Sequence, residues 1–480
     1  MRRLPYVFLV VFALVLVTVA CASSSSTSDV MADAIDVVHV DAPLDDAPSG
    51  DELPGDALPV DTQGSDVPVA DLSLPDVPPG QITFTRHTVD SDAAGAASAA
   101  VADIDGDGEL EILVTTFGLI EGLDGFPDGE LLLYKRGGDL DSWTRTVLIA
   151  AGDGIKFPGL PVVVDVDGDS KLDIVLGAGF LLCTQFSMDP CGALLWLQQT
   201  ADGWLKHVLV SGTIPFYTGV VVVDMDGDGV KDLVTVAEQH VGFTTDQDRA
   251  VAQVFKGNLT AARFDSTPVD LADGMGSFPT VRDVDGDGDL DVVSAQFFIP
   301  GETAAWLENR GNEGWVRHVI DADDGPAIQL SMIPNLFGDG RTLAVISNHT
   351  NAVDDPEGPE SAVRAYEVPA DPTKVWSQVA KLSDGIVSRQ SQMAPQQAPG
   401  VFGWGDIDGD GRIDLAVSGD GDVRTFWLQQ TAPGTFVTHV LDESLGQAGG
   451  MLIVDLEGDG RNEIVSTGYE DDKVYVYHRD

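Results

Sequence analysis

The sequence predicts an all-β fold, a seven-bladed β-propeller of four-stranded antiparallel blades, and three observations carry that prediction. An acidic loop recurs with first positions at Asp103, Asp165, Asp224, Asp283, Asp406 and Asp455 and a worn copy at Asn335, about sixty residues apart. An aromatic opening a short β-type run recurs in step with it, at Phe84, Trp143, Trp204, Phe264, Trp315, Trp376 and Phe436. Each period also holds four β-rich runs, A to D, with glycine-rich turns and no helical periodicity. In the second period these are Leu160–Val164, Leu172–Leu176, Ala193–Leu197 and Trp204–Val210. Blades of this kind bury their faces on one another.

The chain begins with Met1-Arg2-Arg3 and an apolar run from Leu4 to Ala20, shorter than the ~20 residues that span a bilayer, and reads as an export signal over residues 1–20. Thr18-Val19-Ala20-Cys21-Ala22 resembles a bacterial lipobox, although Thr18 stands where that family prefers leucine. The resemblance implies a lipid on Cys21 and, from Ala22, an outer-membrane or cell-surface lipoprotein; cleavage and secretion is the alternative. The lipid would be the chain's one link to a membrane.

Residues 21–80 then form a spacer. Between Asp29 and Pro79 there are twelve Asp, Glu52, eight prolines and no Lys or Arg, so the segment cannot bury enough apolar surface to offset its ordering entropy. The propeller is assigned to residues 81–480. Its first run, Ile82–Val89, matches a strand D without its blade, and its last, Lys473–Tyr477, matches a strand C without its D. The two complete one blade, so the N-terminal strand closes the ring and leaves no free edge.

A net charge of −52 argues against a nucleic-acid partner, since a phosphate-binding face needs clustered Lys and Arg. Six bound dications would offset less than a quarter of that charge. Carboxylates at alternate positions of a tight loop converge on one point, where they repel unless a hard cation neutralises them. Position 1 is supplied by Asp103, Asp165, Asp224, Asp283, Asp406 and Asp455. Position 3 is Asp105, Asp167, Asp226, Asp285, Asp408 and Glu457, and position 5 is Asp107, Asp169, Asp228, Asp287, Asp410 and Asp459. Glu109, Lys171, Val230, Asp289, Arg412 and Arg461 hold position 7, whose backbone carbonyl is the expected donor, and Glu111, Asp173, Asp232, Asp291, Asp414 and Glu463 hold position 9. The expectation is about six structural Ca2+ sites. Loop five has Phe337 and Leu343 at ligand positions and is expected to bind no ion; loop two has Ser170 where glycine would ease a left-handed turn.

An EF-hand needs a bidentate Glu at position 12, where this chain has Val114, Leu176, Thr235, Ser294, Val417 and Ser466. The frame instead resembles the FG-GAP/VCBS repeat proteins, including the propeller of integrin α-subunits, and Phe402-Gly403 matches the dipeptide of that name. The resemblance covers 81–480 and implies calcium bound between two strands of a blade.

Cys183 and Cys191 are close neighbours in an exported chain and are expected to form a loop disulfide. The acidic A–B loops and C–D turns belong to one face of the disc, and the B–C and D–A connections, which vary in length, to the other. On that second face Lys156, Tyr217, His240, His349 and Arg389 are candidate ligand contacts. His87, His207, His318 and His439 each fall on strand D of a different blade and are expected to pack rather than to converge on a metal. No Ser-His-Asp order, HExxH or phosphate loop is present, so no catalytic residue is assigned. The expected function is a monomeric binding module for a protein or glycan; the alternative is a carbohydrate-active enzyme such as a polysaccharide lyase or dehydratase on the same scaffold.

Overall fold

The computed structural model describes residues 82–118, 128–179, 190–239, 249–260, 263–276, 278–297, 302–350, 358–388, 397–445 and 448–480. Strand β1 (Phe84–Asp90) precedes the first complete blade, β2 (Ala96–Ala102), β3 (Glu111–Thr116), β4 (Glu130–Arg136) and β5 (Trp143–Ile149). Blade two is β6 (Val162–Val164), β7 (Asp173–Ala178), β8 (Gly192–Thr200) and β9 (Gly203–Thr213). Blade three is β10 (Phe216–Val223), β11 (Asp232–Gln239), β12 (Arg249–Phe255) and β13 (Val269–Asp273). Blade four is β14 (Thr280–Arg282), β15 (Asp291–Ala295), β16 (Ala304–Asn309) and β17 (Trp315–Asp321). Blade five is β18 (Gln329–Pro334), β19 (Thr342–Asn348), β20 (Ala362–Glu367) and β21 (Ser377–Lys381). Blade six is β22 (Phe402–Gly405), β23 (Asp414–Val417), β24 (Thr425–Ala432) and β25 (Thr435–Asp442).

The seventh sheet runs β1, β28 (Lys473–Arg479), β27 (Glu463–Gly468), β26 (Ala448–Val454), so the first strand of the fold is the outer strand of its last blade. All neighbours in the seven sheets are antiparallel. The closing strand is fastened by more than its ladder. Thr83 and Thr85 donate hydroxyls to the Asp480 carboxylate at 2.7 and 2.6 Å, and the Arg86 guanidinium reaches Asp442 at 2.7 Å while lying 4.5 Å over the Tyr475 ring.

Seven apolar clusters lie where blades meet, and each takes one of the seven repeated aromatics. Phe84 packs between blades six and seven, Trp143 between seven and one, and Trp204 between one and two. Phe264, Trp315, Trp376 and Phe436 repeat this around the ring. Phe264 departs from the sequence expectation, because it pairs with Gly257 in an isolated bridge and strand D of its blade begins only at Val269. Its packing role survives the shift. The inner strands approach so closely that a Cβ on Gly177 would stand 2.4 Å from the Tyr217 carbonyl oxygen, and one on Gly403 2.8 Å from that of Met451.

At one end of the axis the ring is plugged. Phe117, Phe157, Phe216, Phe297, Ile328, Val401 and Tyr469, one from each blade, are buried in a single contiguous cluster, with the Phe117 and Phe157 rings 4.5 Å apart. Phe157 holds a left-handed backbone, φ 45°, that costs a non-glycine residue about 1 kcal/mol.

Candidate metal centres

Each acidic loop is first organised by its own backbone. The position 1 carboxylate accepts hydrogen bonds from amides in the turn ahead of it, as Asp103 does from Asp107 and Gly108, both at 3.0 Å. The position 5 carboxylate accepts the amide of position 7, Val230 to Asp228 at 2.8 Å being one case. Glycines at positions 4 and 6 carry positive φ, and Ser170 takes the same left-handed conformation at φ 68° where glycine is replaced.

Position 9 does more than the sequence suggests. Asp173, Asp291 and Asp414 are fully buried at the start of strand B. Asp173 accepts hydrogen bonds from the Val166 amide at 3.2 Å, the Gln199 amide at 2.8 Å and the Trp196 indole at 3.0 Å. Asp414 accepts the Gln430 amide at 2.7 Å and the Trp427 indole at 3.0 Å. This carboxylate therefore pins the loop, strand B and the end of strand C together. Burial pushes the acids of Asp173, Asp291 and Asp414 up to about 6, 7 and 8, with backbone hydrogen bonds opposing it.

Positions 1, 3 and 9 converge. One oxygen from each lies within 4.8 Å of the others in Asp103–Asp105–Glu111, Asp165–Asp167–Asp173, Asp224–Asp226–Asp232 and Asp283–Asp285–Asp291. In blade seven the group is Glu457, Glu463 and His478. Among the described residues about six acidic clusters are able to chelate a divalent ion. The donor set fits a hard cation, since it is almost wholly oxygen. Glu111 adds a second sign: it is 1 % exposed, and its Oε1 has no hydrogen-bond partner. The nearest opposite charge is the Lys135 ammonium at 3.6 Å.

Loop five retains only the scaffold, with Gly340 donating to the Asn335 side chain at 2.7 Å. Its register places Thr342, opposite Pro334, where the other blades have the position 9 acid, so Leu343 lies one place further along than the sequence spacing suggests. Neither residue bears a carboxylate.

The opposite face is only partly described. His240, Arg389, Cys183 and Cys21 lie outside the described residues. Cys191 is disulfide-bonded. The Lys156 ammonium pairs with Asp128 at 2.5 Å, and Tyr217 is 5 % exposed within the cluster between blades two and three. His349 is fully enclosed, its Nδ1 2.8 Å from the Pro399 carbonyl oxygen and its Nε2 3.5 Å from Asp420; burial pushes the imidazole down to about 4. Tyr217 and His349 thus sit inside the blades rather than on an open surface.

The repeated histidines pack on strand C. His207, His318 and His439 stand directly opposite Trp196, Trp306 and Trp427 and stack on them. His87 has Val476 opposite it and instead contacts Asp141 of blade one at 2.9 Å.

The last two of these loops lie in a recognised repeat. Residues 406–479 match the FG-GAP-like repeat family. The chain is thus a seven-bladed propeller carrying an FG-GAP-like repeat in its final blades. Its sequence matches no curated protein significantly. Among solved structures it is similar to a Bacillus licheniformis rhamnogalacturonan lyase PL11, at 15% identity over 83% of this chain and 75% of that one, TM-score 0.42. It is also similar to BBS1N in complex with ARL6DN, at 11% identity over 82% and 96%, TM-score 0.47. Saccharomyces cerevisiae Sqt1 is a third, at 10% identity over 82% and 97%, TM-score 0.42. Just ahead of the matched residues, the glycine of Phe402-Gly403 has a physical reason, the close approach of Met451 on the next inner strand.

Proposed function

We propose that this chain is a calcium-stabilised, extracytoplasmic propeller that binds a protein or glycan ligand on the face formed by its B–C and D–A connections. The observation that carries this reading is the asymmetry of the two faces. One repeats a single carboxylate loop in nearly every blade, which suits a fastener, because the same loop in six blades does not make six active sites. On the other face the B–C connections range from Tyr469–Asp472 to the long stretch between Thr116 and Glu130, and such variation suits recognition.

The disulfide at Cys191 supports the export reading, since such bonds persist in oxidising compartments. The carboxylates of positions 1, 3, 5 and 9 would hold the ion, which supplies charge neutralisation between strands A and B. Full-length protein would be tested against surface polysaccharides and extracellular proteins by calorimetry and by product analysis. Stoichiometric binding that survives substitution in the acidic loops is expected. Turnover of a polysaccharide would overturn the binding-module reading in favour of an enzyme.

A further inference from the structure

One position of strand C faces every acidic loop, and its identity changes from blade to blade. It is the residue just past the partner of position 10. In blade one Ile112 pairs with Tyr134 and the next residue is Lys135; in blade three Leu233 pairs with Phe255 and the next is Lys256. The same register yields Gln198, Glu308, Val368, Gln429 and His478 in blades two, four, five, six and seven.

These side chains reach the loop. Lys135 contacts Asp105, Asp107 at 2.7 Å and Glu111 at 3.6 Å, and Lys256 contacts Asp226 at 2.8 Å and Asp232 at 3.4 Å. Gln198 and Gln429 each donate an amide hydrogen to the position 3 carboxylate, Asp167 and Asp408, at 2.6 Å. Their Oε1 atoms accept from His207 and His439 at 3.1 Å, which fixes the amide's direction. Glu308 brings a further carboxylate beside Asp285, held by Arg310 and His318 at 2.7 Å each. His478 lies 3.2 Å from Glu463 and 3.4 Å from Glu457. In blade five, whose loop has no acid at positions 1, 3 and 9, the position is the apolar Val368, packed against the neighbouring core.

We infer that this strand-C residue grades the metal sites, with Lys135 and Lys256 acting as tethered counter-cations that occupy loops one and three when the ion is absent and weaken ion binding there. The inference rests on the calcium reading above. An ammonium beside three carboxylates in loop one and two in loop three supplies one positive charge where a dication would supply two, and the ion has to displace it or bind beside it. Loops two and six have a neutral glutamine at this strand-C position, and their own cations, Lys171 and Arg412, sit at position 7 and pair with the position 5 carboxylates Asp169 and Asp410 rather than with positions 3 and 9; loop four adds an acid. The chain therefore has tight and weak sites rather than six equal ones, and its first and third loops keep part of their neutralisation without calcium.

Calcium alone is the probe, titrated into the full chain and counted by native mass spectrometry and equilibrium dialysis. Two classes of site are expected, with the weaker at least about tenfold poorer, as a unit charge a few ångströms away implies even when partly screened. Lys135→Gln and Lys256→Gln install the residue that blades two and six already use. Each is expected to move one ion into the tight class and to lower the melting temperature in chelator while enlarging the gain on adding calcium. Glu308→Gln is expected to weaken one tight site. Six equivalent sites, or lysine variants with unchanged occupancy, would overturn the inference. A chain that binds no calcium overturns the reading beneath it, and this one with it.

Discussion

His207 lies flat on Trp196, ring centroids 4.2 Å apart and planes 15° from parallel, and the same tryptophan donates its indole hydrogen to Asp173 inside the acidic loop. One aromatic thus joins the outer strand of blade two to its acidic loop. His207 also orients Gln198, which holds Asp167. Replacing His207 with alanine removes a stacked pair and one hydrogen bond at a half-buried site, together about 1 kcal/mol. Calorimetry should show a melting temperature lower by about 2 °C. His87→Ala, which has no tryptophan beneath it, should cost less; equal losses would mean that the stack contributes nothing.

Chelation and pH should act on the fold together. Asp173, Asp291 and Asp414 titrate near 6, 7 and 8 in the fold, whereas an unfolded aspartate titrates at about 3.9. Between those limits the native chain holds protons that the unfolded chain has lost, so ion-free protein loses stability as pH rises from about 4 to about 8. Asp107 and Asp169, held below the ordinary range by hydrogen bonds from Lys135 and Lys171, matter only under more acidic conditions. Bound calcium needs ionised carboxylates and removes the penalty. In EDTA the melting temperature should therefore be lower at pH 8 than at pH 5.5, and excess calcium should abolish that fall. A site filled at a hundredfold excess over its dissociation constant contributes about 2.7 kcal/mol. Identical melts with and without chelator at pH 8 would sink the calcium assignment.

The ring should depend on its first strand. Phe84 meets Trp427 edge to face at 5.6 Å, across the boundary between blades six and seven. Phe84→Ala should cost about 2 kcal/mol, less than a fully buried phenylalanine because Phe84 keeps partial exposure. Removing residues 82–90 should do more, since it strips β28 of its partner and opens a strand edge carrying Tyr475 and Tyr477. Light scattering and urea titration of the truncated chain should show aggregation and loss of cooperativity. A soluble, cooperative product would mean that the blade closes without β1.

The blade count and the closing strand were legible because their signals are local: carboxylates two residues apart and an aromatic at the head of a strand. What escaped the sequence was carried across strands. Lys135 reaches Asp107 from 28 residues downstream, and no spacing rule announces that Lys135, Gln198 and Glu308 share one register position. Phe264 misled because the chain between β12 and β13 first forms a bridge to Gly257, separating the aromatic from its strand. The third tier, the axial plug, draws one residue from each blade, and seven residues scattered over the whole chain carry no periodic mark beyond their apolar character.

That plug yields a last expectation. Phe216 is fully buried at the start of β10 and shares the axial cluster with Phe117 and Phe157. Truncation to alanine should leave a cavity where seven blades meet and cost about 3–4 kcal/mol. It lies in the D–A and B–C end of the disc, away from the acidic loops, so calcium stoichiometry should stay the same while the melting temperature falls. The pairing of those two results separates axial packing from ion binding as independent supports of the fold. If Phe216→Ala released calcium in proportion to its loss of stability, the two would be one cooperative unit, and the loops could not be treated as fasteners of individual blades.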